Sequence, residues 1–284
     1  MDILDKIVSY KKKEIEKLKS RVSVSLNNEY PEDITRKNNF TVSMKKPGIS
    51  IIAEIKRKSP SAGNFKKNFD PVKIAIEYEK NGADGISVLT DKKFFGGEAK
   101  HLSSLKNNIE LPVLRKDFII DPYQLHESKI LGADCILLIA RILEEKRLRE
   151  FISITRNLGM SSLVEVHSQP EIEKSLRCGA EIIGINNRDL STFKVDIDKS
   201  LRLAALIPDH IIKISESGIR TADQVKKLHE SGFEGVLIGE IFMRSEEPGK
   251  LIQQWKQELA CFENDNHSIS KDYICKEYNK INKK

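Results

Sequence analysis

"LGADCILLIA", residues 131–140, carries a helix-ending glycine at its second position and passes through an alanine and an acid into six apolar residues. A glycine there suits the left-handed cap of a helix. The run "CILLIA" is far too short to cross a bilayer but long enough for a strand buried on both faces. The same order recurs in "NGADGISVL" (81–89), "CGAEIIGI" (178–185) and, with phenylalanine in place of the alanine, "SGFEGVLI" (231–238). Their glycines, Gly82, Gly132, Gly179 and Gly232, are 50, 47 and 53 residues apart. Four further apolar runs alternate with these, "SIIAEI" 50–55, "LPVLR" 111–115, "SLVEV" 162–166 and "IIKIS" 211–215. Each spacing therefore holds two strands, and every even-numbered strand is entered in the same way.

Between the runs lie stretches of helical periodicity such as "DPVKIAIEYEKNGA" and "TADQVKKLHESGF". Continuous apolar strands alternating with amphipathic helices predict a parallel sheet covered on both faces. Eight βα units in roughly 210 residues, with an alternate-strand repeat, predict a (β/α)8 TIM barrel rather than an open doubly wound sheet. No GxGxxG follows the first strand, which argues against a dinucleotide fold. The barrel is expected to span residues 49–262, ending in the helix "PGKLIQQWKQELACF". Residues 1–48 read as an N-terminal helical extension, because Ile3, Leu4, Ile7, Val8, Ile15 and Leu18 fall on one stripe that would pack on the barrel. Residues 263–284 are polar and without period, which predicts a disordered tail.

The 284 residues are 39% hydrophobic and 32% charged, the balance of a water-soluble globular chain. No signal peptide or membrane span is read, so the expected location is the cytoplasm, as a monomer or weak homodimer. Four cysteines without CxxC spacing and six histidines without HExxH suggest neither disulfides nor a metal. The net charge of +6 is spread out and only 6% of residues are aromatic, so no nucleic acid is expected as a partner. An anionic small molecule suits the charge.

Barrels of this kind keep their chemistry at the C-terminal ends of the strands. Strand 1 ends in Glu54 and Lys56, two apart and so on one face, before the loop "KSPSAG" with Ser59. Strand 3 runs into Arg115, Lys116 and Asp117, strand 5 carries Glu165, and strand 6 ends in Asn186 and Arg188. Singly, each suits a solvated rim or a structural ion pair: Glu54 or Glu165 would neutralise Lys56, and Asp117 would cap the next helix. As a set, interior Lys56, Lys116 and Glu165 each need a partner against desolvation, and one shared anionic ligand serves all three. "SESGI", with Ser217 and Gly218, and "LIGE", with Gly239 and Glu240, place small residues after strands 7 and 8, where barrels commonly hold phosphate.

These motifs resemble the indole-3-glycerol phosphate synthase family, from "ILDKIVSYKKKEIEKLK" through "AEIKRKSPSAG", "VLTDKKFFGG", "PVLRKDFIIDPYQ", "LVEVH", "IGINNRDL" and "ISESGI" to "LIGEIFMR". The resemblance spans residues 1 to about 260 and implies an enzyme of tryptophan biosynthesis without cofactor. It would convert 1-(2-carboxyphenylamino)-1-deoxyribulose 5-phosphate to indole-3-glycerol phosphate, carbon dioxide and water. By the family pattern Lys116 matches the general acid of ring closure, and Lys56, Glu165 and Glu54 match the other catalytic groups, with the identity of the base left open. Ser59, Asn186, Arg188 and Ser217 match substrate-binding positions, and Lys56, Gly218, Gly239 and Glu240 the phosphate site. Phe94 or Phe95, Phe118, Leu137 and Leu190 match the wall around the substrate's aromatic ring. Some members have serine at the place of Glu240, whose carboxylate is expected to point away from phosphate. The alternatives are the neighbouring phosphoribosylanthranilate isomerase, a barrel forming a Schiff base at Lys116, and a non-catalytic phosphate-binding protein. Against the isomerase stands the absence of a cysteine at the end of strand 1.

Overall fold

Every glycine of the repeat closes its helix in the left-handed region, with φ of 96° at Gly82, 88° at Gly132, 81° at Gly179 and 80° at Gly232. Other residues reach that region only under strain. The computed structural model describes residues 3–21, 39–60, 62–66, 68–189 and 192–262. In it, eight parallel strands close into a barrel: β1 (Ser50–Ile55), β2 (Gly85–Leu89), β3 (Val113–Lys116), β4 (Cys135–Ile139), β5 (Ser161–Val166), β6 (Ile182–Asn186), β7 (Ile212–Glu216) and β8 (Gly235–Ile238). Neighbours pair in chain order, and β8 returns to β1 with Ser50 opposite Gly235 and Ala53 opposite Ile238. A short antiparallel ribbon, Lys58–Ser59 against Gly63–Asn64, follows β1. The expected (β/α)8 barrel is the fold found, and its last helix runs over 248–262.

The acids of the repeat have a structural task that their position alone does not announce. Asp84 accepts a hydrogen bond from the backbone N–H of Ile51 at 2.8 Å, Asp134 from Val113 N at 2.8 Å, and Glu234 from Lys213 N at 2.7 Å. Each is the acid before an even strand, bonded to the start of the preceding odd strand. The barrel is thereby pinned at its lower rim, where backbone donors would otherwise be buried without a partner. Lys256 at 2.9 Å and Lys106 at 2.7 Å balance Asp84 and Asp134. Glu181 departs from the pattern and reaches an exposed partner, Arg156, at 2.7 Å.

The N-terminal helices close both ends of the barrel. α1 (Ile3–Arg21) buries Leu4 and Ile7 in one apolar cluster with Phe118, Leu137 and Ile139, at the C-terminal end of the strands. α2 (Asn39–Met44) buries Phe40 and Met44 at the opposite end, tied there by Ser43 Oγ to the carbonyl of Asp84 at 2.6 Å. The predicted tail over 263–284 lies outside the described residues. The helix after β3 is capped by Asp121, which forms a reciprocal capping box with Gln124, and not by Asp117. Asp117 is occupied elsewhere, as the site shows.

Inside the barrel, side chains of alternate strands form layers. On the odd strands Ile52, Leu114, Leu163 and Ile214 share one apolar layer, and Cys135 packs in the same interior cluster. Two residues further along every odd strand the next inward position is charged. That upper layer consists of Glu54, Lys116, Glu165 and Glu216.

The rim bonds make a contrast that stability measurements can read. Asp134→Ala is expected to lower unfolding free energy by about 1–3 kcal/mol, the usual cost of leaving a buried donor unmade. Glu181→Ala, which removes only an exposed ion pair, is expected to cost less than about 1 kcal/mol. Urea denaturation of the two variants checks the difference, and equal losses would contradict the rim role.

Candidate active site

The charged layer pairs with itself before any ligand is present. Lys116 Nζ lies 2.7 Å from Glu216 Oε2 and 3.4 Å from Glu54 Oε2, and Lys56 Nζ lies 2.5 Å from Glu54 Oε1. Glu165 has the His167 imidazole 3.7 Å away, an ion-pair partner when that ring is protonated. The desolvation cost that sequence reasoning assigned to a shared ligand is therefore met largely by internal partners. What a ligand finds is a preassembled set of charges in a water-poor pocket.

Two glycines make room for this layer. A side chain at Gly184 would collide with the Glu216 carboxylate, and one at Gly239 with the Glu54 carboxylate. The sequence predicts that Gly239 lets an anion approach the backbone; in the structure the space that it leaves holds the Glu54 carboxylate. Gly218 has φ of 85°, and Ser217 before it also sits in the left-handed region at 68°, a conformation that costs a non-glycine residue roughly 1–2 kcal/mol. Asn187 Nδ2 donates to the carbonyl of Ser217 at 3.0 Å and holds that turn.

Burial acts on every group of the layer, and neighbours decide the outcome. Desolvation alone would push Glu54 up, but Lys56 and Lys116 outweigh it and hold the carboxyl down at about 2. Burial alone would push Lys116 down, but Glu216, Glu54 and Glu165 hold it above the usual ammonium range. Glu216 goes the other way: full burial, reinforced by repulsion from Glu165 and Glu54, exceeds the pull of Lys116 and raises it from 4.5 to about 7. Its Oε1 has no hydrogen-bond partner among the described residues. Glu216 is absent from the site residues expected from the sequence; the signal for it is an acid in "SESG" at the end of β7, in the same strand-end position as Glu54 and Glu165.

The pocket above the layer is lined by Glu54, Lys56, Lys116 and Glu165 at its floor, and by Ser59, Asn186, Arg188, Ser217 and Glu240 along one side. Its other side is apolar, with Phe95, Phe118 and Leu137 joined by Ile3, Leu4 and Ile7 of α1. Phe95, not Phe94, belongs to this wall; Phe94 packs edge-on against Tyr10, with ring centroids 6.0 Å apart. Leu190 lies outside the described residues. A second cavity continues from Lys56, Arg188 and Ser217 to Gly218, Gly239 and Arg244. Arg188 donates to the carbonyl of Phe193 and to Glu240 Oε2, both at 3.3 Å, and its own N–H is held by Asn186 Oδ1 at 2.9 Å. Glu240 also takes Arg244 at 3.2 Å, so its carboxylate lies between two guanidinium groups. The site thus offers an apolar slot, a floor that holds and accepts protons, and a cationic far end.

The sequence model described as indole-3-glycerol phosphate synthase matches residues 4–255. A relative of that name from Lachnoclostridium phytofermentans is 45% identical over 270 residues, covering 90% of this chain and all of its own. Another from Alkaliphilus metalliredigens is 46% identical, covering 91% of this chain and 99% of its own, and one from Thermoanaerobacter pseudethanolicus is 48% identical, covering 85% and 92%. Among solved structures, a thiamine phosphate pyrophosphorylase from Pyrococcus furiosus superposes with a TM-score of 0.56 at 15% identity, covering 75% of this chain and 96% of its own. That likeness speaks for the barrel alone.

The raised Glu216 carboxyl has a measurable sign. Between pH 4.5 and about 7 the folded chain binds a proton at Glu216 that the unfolded chain has lost, so this group's contribution to stability falls as pH rises through that window. Glu216→Gln lacks the dependence. Its stability relative to the wild type is expected to improve from pH 5 to pH 7.5 in paired urea denaturations, and a constant difference would refute the shift.

Proposed function

Because the chain belongs to the indole-3-glycerol phosphate synthase family, we propose that its reaction is carried by the charged layer of the barrel, with Lys116 as the acid of ring closure. The enzyme is a carboxy-lyase of tryptophan biosynthesis. It closes the indole ring of 1-(2-carboxyphenylamino)-1-deoxyribulose 5-phosphate with loss of carbon dioxide and water. The observation that carries the assignment of roles is the position of Lys116, held charged among Glu216, Glu54 and Glu165 where the apolar slot meets the cationic end.

In this reading the substrate's benzene ring enters the slot of Phe95, Phe118 and Leu137, and its phosphate goes toward Gly218, Gly239 and the backbone of Glu240, with Lys56 nearby. The ring carbon that bears the carboxylate then faces the ribulose carbonyl. As that carbon attacks, Lys116 donates a proton to the carbonyl oxygen, and carbon dioxide then leaves from the same ring carbon, whose C–C bond electrons restore the aromatic ring. Glu216, 2.7 Å from Lys116 and titrating near neutrality, is suited to return a proton to it. The hydroxyl that remains must depart as water while a base removes a proton to complete the indole. Glu54, committed to two ammonium groups and held at about 2, is a weak base, which favours Glu165 for this step. Lys56 stands beside Glu54 as the second acid or as an electrostatic anchor. Asn186 holds the backbone of Arg188, whose guanidinium fork suits a carboxylate, and Ser59 and Ser217 add polar contacts at the mouth.

The same proposal includes a monomer or weak homodimer in the cytoplasm that engages neither nucleic acid nor membrane. Its support is the modest, dispersed charge, and among the described residues no helix is long and apolar enough to cross a membrane.

The direct test is indole fluorescence on mixing purified protein with the carboxyphenylamino substrate, with and without chelator. Turnover is expected in both. Lys116→Ala is expected to lower kcat by roughly 10²–10⁴-fold, the usual worth of one general acid, while circular dichroism stays native. Near-wild-type turnover would remove Lys116 from the role. Arg188→Ala is expected to raise KM about tenfold or more with a smaller change in kcat, since it removes a charged contact made in the bound state; an unchanged KM would place it outside the binding site.

A further inference from the structure

Lys11, on the buried face of α1, is a charge with no place in the reaction just described, yet it is only 4% exposed. Its ammonium lies 3.0 Å from Asp117 Oδ1, 3.0 Å from Asp91 Oδ2 and 2.7 Å from Glu14 Oε2. The contact with Asp91 is an ion pair without hydrogen-bond alignment. Burial alone would push this lysine down, but Asp117, Asp91 and Glu14 hold it well above the ordinary ammonium range. Asp91 and Asp117 are themselves buried, on the loops after β2 and β3. A buried cation shared by two buried carboxylates from separate loops is a junction of three chain segments.

Each segment meeting there carries part of the apolar slot. Asp91 accepts from the backbone N–H of Phe94 at 2.7 Å and Phe95 at 3.3 Å, and so sets the short helix Lys92–Phe95 that presents Phe95. Asp117 accepts from the N–H of Phe118 at 2.8 Å and from the Thr90 hydroxyl at 2.6 Å, directly after Lys116. One and two helical turns before Lys11, Ile7 and Leu4 point into the same cavity. The rings of Phe95 and Phe118 stand 6.0 Å apart between centroids, facing that helix.

We propose that Lys11 is a positioning residue for the aromatic part of the substrate: by pairing with Asp91 and Asp117 together, it clamps α1 onto both loops and fixes the width of the slot between Leu4, Ile7, Phe95 and Phe118. The inference rests on the placement of the substrate's benzene ring in that slot, as given under the proposed function. It separates the two ends of the site. Ring recognition depends on the clamp, whereas the charged partners of Lys11 among the described residues are Glu14, Asp91 and Asp117, none of them in the anion end built from β7, β8 and their loops.

The test uses the full-length chain, with calorimetric affinities for two probes, anthranilate and inorganic phosphate, beside steady-state kinetics. Lys11→Met is expected to weaken anthranilate and raise KM by about tenfold, the order of loss that a small misplacement of a binding group brings, and to leave phosphate affinity unchanged. Lys11→Arg, which keeps the cation, is expected to restore most of the anthranilate affinity. Asp91→Asn removes one charge of the clamp while asparagine still caps the helix, and is expected to weaken anthranilate about threefold; it decides the question if Lys11→Met does not fold. Unchanged anthranilate affinity in these variants overturns the proposal, as does an equal loss for both probes, which would mark a general collapse. Phe118→Ala tests the underlying placement. If it leaves anthranilate affinity intact, the ring lies elsewhere; if it weakens anthranilate while Lys11→Met does not, the clamp fails and the placement stands.

Discussion

The structure turns on four side chains at one height in the barrel: Glu54, Lys116, Glu165 and Glu216, one from each odd strand. A closed barrel has interior layers because its side chains alternate and its strands are staggered, and such layers are ordinarily apolar. The layer below this one obeys that rule with Ile52, Leu114, Leu163 and Ile214. Replacing the next layer with three carboxylates and an ammonium puts charge where water is scarce. Most of the unusual features of the chain answer that substitution.

The glycines at 184 and 239 are one such answer, since neither position tolerates a side chain beside a buried glutamate. Lys56 is another, because it balances Glu54 from the position two residues on. The cost that remains falls on Glu216, whose carboxyl is raised toward neutrality by its burial and, after that, by repulsion from Glu165 and Glu54 that Lys116 does not offset. A protein selected only for stability would fill this layer with branched aliphatic residues; buried ionic groups seldom improve on well-packed apolar ones. Under the proposed function, the cost supports a proton-holding floor that needs little rearrangement when substrate arrives, the kind of preorganised charge that lowers reaction barriers most.

The barrel was legible in the sequence because its evidence is local. A helix-ending glycine, an acid and a continuous apolar run fix their meaning within ten residues, and the left-handed φ at all four glycines follows from the same chemistry. The acids of that motif were visible but their work was not, since bonding to the start of the preceding strand requires knowing which strands are neighbours. The site divides in the same way. Glu54, Lys56, Lys116 and Glu165 stood out as charges in apolar company, whereas Glu216 lay beside serine and glycine in "SESG" and drew less notice than they did. Asp117 looked like a helix cap because caps are the commonest use of an aspartate after a strand; its real partners, Lys11 and Arg115, come from another helix and from its own strand. Lys11 lies four residues after Ile7 and four before Ile15, on the apolar stripe of α1, so periodicity separates it from Lys12 and Lys13; which carboxylates it meets there depends on the fold.

The charged layer also explains why the chain needs α1 at that end of the barrel. An open mouth above three glutamates and a lysine would admit water, raise the local dielectric and weaken each of the interactions that hold Lys116 charged and Glu216 near neutrality. Leu4 and Ile7 exclude water from one side of the mouth and form an apolar surface in the same step. A helix that does this must be held to the rim, yet the rim is where the loops carry Phe95 and Phe118 and where apolar contact alone would let it slide. A single buried ammonium meeting carboxylates from two loops gives a fixed point that side-chain packing lacks, because the alternative positions leave charges unpaired in the interior. The roof and the floor of the site are thus built on one principle, buried charge made specific by its partners. In the floor the pairing holds protons, and in the roof it holds a shape.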